Sequence, residues 1–298
     1  AAIALTAVIY TTYSTYTVYK LTDKMETIEI RIETVNFFIK DVENDLNKGA
    51  YISSFRTLLS FNQFIATNGS YIVNTKEKFK ESFLNGTINN QPLTLMKGST
   101  FTDWANKMSA EAEKIDIKFN FTINDVNLNQ SDPWTVEVGI DINLSISDKK
   151  NTSSWARNIN LKTKISIIGF EDPLYVVNSI GRVTNAIVQT NITDFVINGD
   201  VSNLVQHMNS SAYIAHNDSP SFLMRLEGNT GNSTFGIESL VNLEEFEQQG
   251  LALKDRSIVD YIYFGSQSTS NFRINNTPVW FKIDQGHLAT YEVTNLTI

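Results

Sequence analysis

The chain has 298 residues, a formal net charge of −8 and no cysteine, with 42% hydrophobic and 19% charged residues. This composition predicts a folded protein rather than a disordered one. The negative charge leaves no broad basic surface for phosphates, which argues against nucleic acid as the main partner. Without cysteine, disulfide bonds, thiolate catalysis and Cys-ligated metals are excluded.

The first segment, Ala1 to Tyr19, carries no charge. As a helix it would extend ~28 Å, close to the hydrocarbon thickness of a bilayer. Thr and Ser interrupt it, and Tyr recurs at every third position from Tyr10 to Tyr19, so the segment also suits packing against protein. Since neither Met nor a basic region precedes it, we expect that a leader has been removed.

An amphipathic stretch follows without Pro or Gly. Its apolar residues alternate spacings of three and four, which is typical of a helix face buried against another surface. We call this set the apolar seam; it consists of Val18, Leu21, Met25, Ile28, Ile32, Val35, Ile39, Val42 and Leu46. Gly49 is the first predicted stop, although Tyr51 to Ile65 could resume the helix; a helix from Ala1 to about Lys48 would be ~70 Å long.

Two simple interpretations of the seam compete. The second half of the helix could cover a sheet of its own domain, or the seam could form a homo-oligomeric coiled coil. Neither explains residues 1–19. A helix whose uncharged half protrudes while its amphipathic half packs on a globular head explains both.

That arrangement, charge-free Ala1 to Tyr19 followed by amphipathic Lys20 to Leu46, resembles type IV pilins, particularly the archaeal ones. The acidic residue that bacterial pilins carry near the mature N-terminus is absent, because position 5 is Leu5. The resemblance implies a hydrophobic half that sits in the membrane before assembly and then bundles in a filament core. The implied assembly residues are Ile3, Leu5, Val8, Ile9, Tyr10, Tyr13, Tyr16 and Tyr19.

Asn-x-Ser/Thr sequons, the acceptors of N-linked glycan, occur twelve times. Roughly six would be expected by chance from the Ser and Thr content. The alternative interpretation is a composition rich in Asn and Thr that generates sequons passively. The predicted glycosylation sites are Asn68, Asn85, Asn120, Asn129, Asn143, Asn151, Asn191, Asn209, Asn217, Asn232, Asn275 and Asn295.

Three long strands are predicted by apolar residues at period two, over Ile115 to Ile123, Trp134 to Ile146 and Trp155 to Ile167. The separators Asn124 to Pro133 and Ser147 to Ser154 indicate turns, which favours an antiparallel meander. One face of this sheet needs a cover, and the helix is the predicted one.

The remainder indicates shorter elements. Helices are predicted at Ser221 to Glu227 and Gly236 to Gln249, and strands at Ile258 to Phe264 and Pro278 to Ile283. The expected class is α+β, with a long N-terminal helix packed on an antiparallel sheet head and followed by a smaller α+β unit. The expected division is residues 1–50, 51–180 and 181–298.

Local signatures of catalysis are missing: the sequence has no Walker A loop, GxSxG elbow, GxGxxG or HExxH. The only histidines are His207, His216 and His287. Asp284 and His287 could form an acid/base or metal pair, but an Asp that caps a helix with His in its first turn is favoured. No catalytic residue, metal or cofactor is therefore predicted.

These observations predict a non-enzymatic, glycosylated structural subunit of an extracellular, cell-surface pilus-like filament that serves adhesion or surface contact. Its expected partners are identical subunits, N-linked glycans and, before assembly, the membrane that embeds its N-terminus. The alternative is a monomeric, membrane-anchored surface protein.

Overall fold

A computed structural model describes the backbone of residues 2–150 and 152–298, and the side chains of residues 11–150 and 152–298. It confirms the α+β class, the long N-terminal helix and the antiparallel pairing of strands. The α-helices are α1 Ala2–Asn68, α2 Thr75–Asn85, α3 Phe101–Lys114, α4 Pro173–Asn178, α5 Ser202–Ser210, α6 Phe222–Leu226, α7 Leu243–Gln248 and α8 Asp260–Phe264. Short 3-10 turns occur at Thr94–Met96 and Thr294–Leu296.

The strands form small sheets. They are β1 Thr87–Ile88, β2 Gln91–Pro92, β3 Ile117–Asp132, β4 Thr135–Asp148, β5 Ser154–Ser166, β6 Tyr213–Ala215, β7 Ile237–Ser239, β8 Asn271–Arg273 and β9 Lys282–Asp284. The largest sheet has the order β3-β4-β5, and the pairs β1-β2, β6-β7 and β8-β9 are antiparallel. Consecutive strands that pair directly need only short turns.

The prediction of a turn over Asn124 to Pro133 is wrong for most of its length, because β3 continues to Asp132. Val126 and Leu128 are buried at alternate positions while their Asn neighbours face solvent, which is the period of a strand. The actual turn is tight. The Trp134 N–H donates to Asp132 Oδ1 at 2.9 Å, so the Asp side chain closes it.

Helix α1 does not stop at Gly49, contrary to the sequence prediction, but continues to Asn68. A Cβ placed on Gly49 would lie 2.6 Å from Cδ1 of Trp104, so the glycine is where the indole ring lies against the helix backbone. The indole N–H then donates to Asp45 Oδ2, one turn earlier in α1, at 2.9 Å. Gly49 therefore serves a close approach rather than a helix end.

Gly49→Ala tests this packing. In an exposed helix, replacing Gly by Ala stabilises by ~1 kcal/mol. Here we expect the opposite sign, a loss of ~1–3 kcal/mol in the free energy of unfolding, because the methyl group overlaps the Trp104 ring. Urea unfolding measures it, with the exposed neighbour substitution Lys48→Ala as a control that stays within ~0.5 kcal/mol of the wild type. A more stable Gly49→Ala protein would contradict this account.

Among the helices that the structure describes, none combines the length with the apolar character that crossing a bilayer requires. The predicted location was a cell-surface filament whose N-terminus is first embedded in the membrane. The prediction of a membrane-embedded N-terminus is therefore wrong. The physical reason is composition: hydroxyl side chains occupy much of residues 11–17, and charges begin at Lys20.

Two compact units divide the chain, and each is discontinuous in sequence. The first contains Ala1–Ala50, Phe101–Val126 and Ile140–Leu161, and the second contains Tyr51–Thr100, Asn127–Gly139 and Lys162–Ile298. The second unit has an aromatic core in which the Tyr175 ring lies 5.0 Å from that of Phe264 and 6.2 Å from that of Phe246. The predicted division at residues 50 and 180 stays a prediction.

Several short elements of the second unit differ from the sequence prediction. The stretch predicted as one helix, Gly236 to Gln249, contains β7 and then α7. A Cβ on Gly236 would lie 2.1 Å from the Ser219 carbonyl oxygen, so the two backbones approach too closely here for any side chain. The stretch predicted as a strand at Ile258 to Phe264 contains helix α8, because a short apolar run fits either buried element. The predicted helix after Ser221 is present as α6, and the last predicted strand is shifted to β9.

Candidate functional site

Helix α1 is exposed on all sides over residues 11–27. Exposed helices normally carry polar side chains all round, and large apolar ones on such a helix mark an interaction surface. The large apolar side chains exposed between residues 11 and 34 are Tyr13, Tyr16, Val18, Tyr19, Leu21, Met25, Ile30 and Ile32.

The apolar seam is one continuous stripe, but only part of it is covered. Its C-terminal half is buried, with Val35 at 1% and Val42 at 0% exposed. In its N-terminal half Leu21 is 57% and Met25 is 69% exposed. The same periodic face that excludes water along residues 35–46 is thus largely exposed along residues 18–32, with Ile28 partly covered. We call residues 18–32 of the seam the bare seam.

Threonine hydroxyls of the exposed segment are satisfied within the helix. Each donates to the carbonyl oxygen four residues earlier, at 2.8–3.0 Å. The pairs are Thr15 to Thr11, Thr17 to Tyr13, Thr22 to Val18, Thr27 to Asp23 and Thr34 to Ile30. A hydroxyl bonded in this way needs no water, so the helix can enter a protein interior without leaving these groups unpaired.

Tyrosines spiral around the helix rather than marking one face. Residues three apart are rotated by ~300°, so Tyr13, Tyr16 and Tyr19 each point ~60° away from the previous one. These three tyrosines are predicted assembly residues and all are exposed; the exposed fraction of Tyr13 is 71%. The other predicted assembly residues, Ile3, Leu5, Val8, Ile9 and Tyr10, have side chains outside the described part of the chain.

The predicted glycosylation sites share one property. Asn151 lies outside the described residues, and all the other eleven sequon asparagines are exposed. They occur on helices, strands and turns alike, from Asn68 at the end of α1 to Asn295 near the C-terminus. A glycosyltransferase needs an accessible amide, so the geometry is compatible with modification at each described site.

A buried cluster unites two histidines with a glutamate that the sequence did not single out. Glu238 lies on β7, His216 follows the paired strand β6, and His287 follows β9. His216 Nδ1 and His287 Nε2 each lie 3.2 Å from Oε2 of Glu238. All three donor atoms lie within 4.8 Å of one another. The Asp284–His287 pair does form, at 2.8 Å, but not as a helix cap, because β9 and a turn carry it.

Each member of this cluster also contacts an outer partner. His287 Nδ1 lies 2.8 Å from Asp284 Oδ1 and His216 Nε2 lies 3.2 Å from the Thr290 hydroxyl. The Tyr291 hydroxyl donates to Glu238 Oε1 at 3.0 Å. These contacts fix the orientation of all three side chains.

Electrostatics within the cluster are strong. Burial opposes ionisation of Glu238, yet the imidazoles of His216 and His287, each 3.2 Å away, hold the pKa of its carboxyl group well below the ordinary value. Burial likewise opposes protonation of His287, but the carboxylates of Asp284 and Glu238 outweigh it and raise the pKa of His287 to about 10. The pKa of His216 is raised mainly by the Glu238 carboxylate, whose Oε2 lies 3.2 Å from Nδ1 of the imidazole. The two carboxylates thus attract positive charge to this place.

A second polar cluster is closed to solvent. Arg225 is fully buried, and its guanidinium lies 2.5 Å from Asp172 and 2.9 Å from Asp260. Burial raises the pKa of Asp260 to about 6, and the charge of Arg225 opposes this shift. Tyr213 donates to Asp172 at 2.8 Å, and Ser239 donates to Asp260 at 2.9 Å. With no exposed atom to meet a solute, this cluster is an internal cross-link of the second unit.

No protein-family model matches the chain, nor does any curated protein sequence or solved structure. The argument on function therefore starts from the exposed helix and the histidine cluster themselves. Sequence reasoning missed Glu238 and His216, since residues 216, 238 and 287 form no local motif. The one feature of the sequence that drew attention to these histidines was that the chain has three of them.

His207 gives the second unit a predictable response to acid. Burial lowers the pKa of this imidazole from 6.5 to about 4, although the charge of Glu238 opposes the shift. Because the folded pKa lies below the unfolded one, the unfolded chain binds a proton between pH 6.5 and 4 that the folded chain does not. Stability is full above pH 6.5 and falls through this window, by up to ~3 kcal/mol from this group.

The substitution His207→Gln removes the imidazole whose protonation causes this loss of stability. Urea unfolding at pH 7 and pH 4.5 should show a smaller loss of stability in the variant than in the wild type, whatever the variant's stability at pH 7. Equal losses in both proteins would mean that His207 takes up its proton in the folded state as well.

Proposed function

We propose that this chain is a non-enzymatic structural subunit that polymerises through α1 into a pilus-like filament of the kind that serves adhesion or surface contact. The single observation that carries the proposal is the bare seam, which continues a buried stripe without interruption. An apolar stripe of this length on a folded protein calls for a partner.

The partner we propose is the same helix of other copies. Seam residues alternate spacings of three and four, which is the repeat that two or more helices match when they pack side by side. Between Val18 and Ile32 the helix carries three basic and three acidic residues, so neighbouring copies do not repel and can pair opposite charges. The basic residues are Lys20, Lys24 and Arg31, and the acidic ones are Asp23, Glu26 and Glu29.

A bundle of several helices accounts for the exposed side chains of α1 better than a dimer does. A two-stranded coiled coil covers the bare seam alone, whereas Tyr13, Tyr16 and Tyr19 span ~120° on the other side of the helix. A helix surrounded by neighbours covers all of them, and Thr hydroxyls bonded within their own helix add no unpaired polar group. This is the assembly mode that the resemblance to type IV pilins implies.

The remaining half of the seam is proposed to lie on the three-stranded sheet, within the first unit. The Phe38 ring meets that of Phe119 on β3 edge to face at 6.1 Å. Arg31 lies 3.6 Å from the buried carboxylate of Asp148 on β4, and Glu43 lies 3.4 Å from Arg157 on β5. These contacts support the proposed packing, in which α1 would have a fixed base from which the bare seam extends.

Met25→Asp tests assembly without disturbing the fold. Met25 is 69% exposed, so a charge there costs the folded monomer little, but in a bundle it would recur in every subunit without a partner. We expect the full-length wild type to form filaments by electron microscopy and large species by sedimentation velocity. The variant should sediment as a monomer with an unchanged circular dichroism spectrum.

Thr27→Asp is the matched control, because it adds the same charge ~140° away from the centre of the bare seam, on the side of the helix where Lys20, Asp23 and Arg31 already lie. It should assemble like the wild type, or lose far less than Met25→Asp does. A wild type that stays monomeric at all concentrations would refute polymerisation through α1, and a wild type that stops at a dimer would refute the filament.

Glycan is the second testable part of the proposal, since all described sequon asparagines are exposed. The intact mass of protein from its native source should exceed the 33.6 kDa polypeptide by several sugar chains. Peptide mapping would assign them to individual sequons. An unmodified mass would leave the Asn- and Thr-rich composition as the explanation of the sequons.

A further inference from the structure

We propose that His216, Glu238 and His287 bind one divalent transition-metal ion, with Zn²⁺ as the best match. The inference concerns the second unit alone and does not depend on polymerisation. It rests on the geometry of the donor atoms, on their outer contacts and on an unpaired nitrogen.

Two of the three donor distances match a shared ion, and all three donor atoms lie within 4.8 Å of one another. Two ligand atoms bound at ~2.05 Å to a tetrahedral ion lie ~3.4 Å apart. His216 Nδ1 and His287 Nε2 are each 3.2 Å from the same carboxylate oxygen, Oε2 of Glu238. Two imidazoles and one carboxylate form one of the common ligand sets of zinc, and three protein ligands leave a fourth position for water. His216 is partly exposed, so solvent can reach that position.

Outer contacts match those of a metal centre. Metal-bound histidines almost always hydrogen-bond through the other ring nitrogen, often to a carboxylate, which fixes the tautomer and the ring orientation. His287 does this with Asp284 at 2.8 Å, and His216 does it with the Thr290 hydroxyl at 3.2 Å. The second oxygen of Glu238 accepts from Tyr291. The three side chains are therefore held in place from outside. Ser219 donates to Oε2 of Glu238 at 2.7 Å and the Tyr261 hydroxyl lies 3.0 Å from Nε2 of His287, so a bound ion would displace these two contacts.

One inward atom has no hydrogen bond. His216 Nδ1 is buried and unpaired, although it faces the Glu238 carboxylate. If His216 donates to Thr290 through Nε2, the lone pair of Nδ1 points into the cluster, as a metal ligand requires. Burying such a nitrogen unpaired costs ~1–3 kcal/mol, and a bound ion removes this cost.

Charge balance favours a divalent cation. Glu238 and Asp284 bring two negative charges to a buried place, and one divalent ion neutralises both. Two imidazole nitrogens select a transition metal over Ca²⁺ or Mg²⁺, which prefer oxygen ligands. Bound there, the ion would link the segments that follow β6 and β9 to β7, in a chain that has no disulfide bond.

The test uses full-length protein treated with a chelator and then titrated with ZnCl₂ in a calorimeter. We expect one ion per chain, a higher melting temperature with Zn²⁺ and no response to MgCl₂. His216→Gln should weaken Zn²⁺ binding by at least ~100-fold, because even outer partners of metal ligands contribute ~10–100-fold. His207→Gln, which alters the histidine outside the cluster, should bind like the wild type once its circular dichroism spectrum shows that it is folded.

Saturable binding with equal affinity in His216→Gln and the wild type would place the metal elsewhere and overturn the proposal. Absence of saturable binding in the wild type would do the same and identify the cluster as an ionic network held by protons. If His216→Gln fails to fold, X-ray absorption at the zinc edge of the wild type decides instead. Two imidazoles in the first coordination sphere support the site, and fewer refute it.

Discussion

The apolar seam of α1 needs a cover along its whole length, and the described chain covers only half of it. Between Val35 and Leu46 the seam is buried, whereas Leu21 and Met25 face water. Because α1 is one unbroken helix, no hinge separates the two halves, and the bare half is held away from its own core. Fixing one half of a rigid helix presents the other half to a partner at little entropic cost.

Without disulfide bonds, the second unit depends on buried polar cross-links. Arg225 joins α4 and α8 through Asp172 and Asp260, and the histidine cluster joins the ends of β6 and β9 to β7. Buried charges contribute less to stability than to specificity, since each partner left alone is costly. Short strands and helices of three to nine residues gain a unique arrangement from such links.

How far the sequence predicts the structure depends on the length of each pattern. The three long strands and the helix over residues 21–48 were predictable, because their apolar periods extend over many residues. Gly49 was misjudged, since its role depends on Trp104, which is distant in sequence. The short elements from Gly236 to Phe264 were misassigned because tertiary burial, rather than period, decides them. Glu238 had no signal, since its partners lie in other segments.

The polar side chains of α1 before the bare seam are compatible with the proposed helix bundle. Thr15 and Thr17 bond back to carbonyl oxygens of the preceding turn, so their outer surface is a methyl group and a satisfied hydroxyl. Lys20 lies 4.8 Å above the Tyr16 ring, which leaves that ring amphipathic rather than purely apolar. Such a surface tolerates water, and its Thr hydroxyls would lose no hydrogen bond on contact with an identical surface. A strictly aliphatic stripe would gain more on burial but would also associate with any apolar surface, so this mixture favours specific over indiscriminate association.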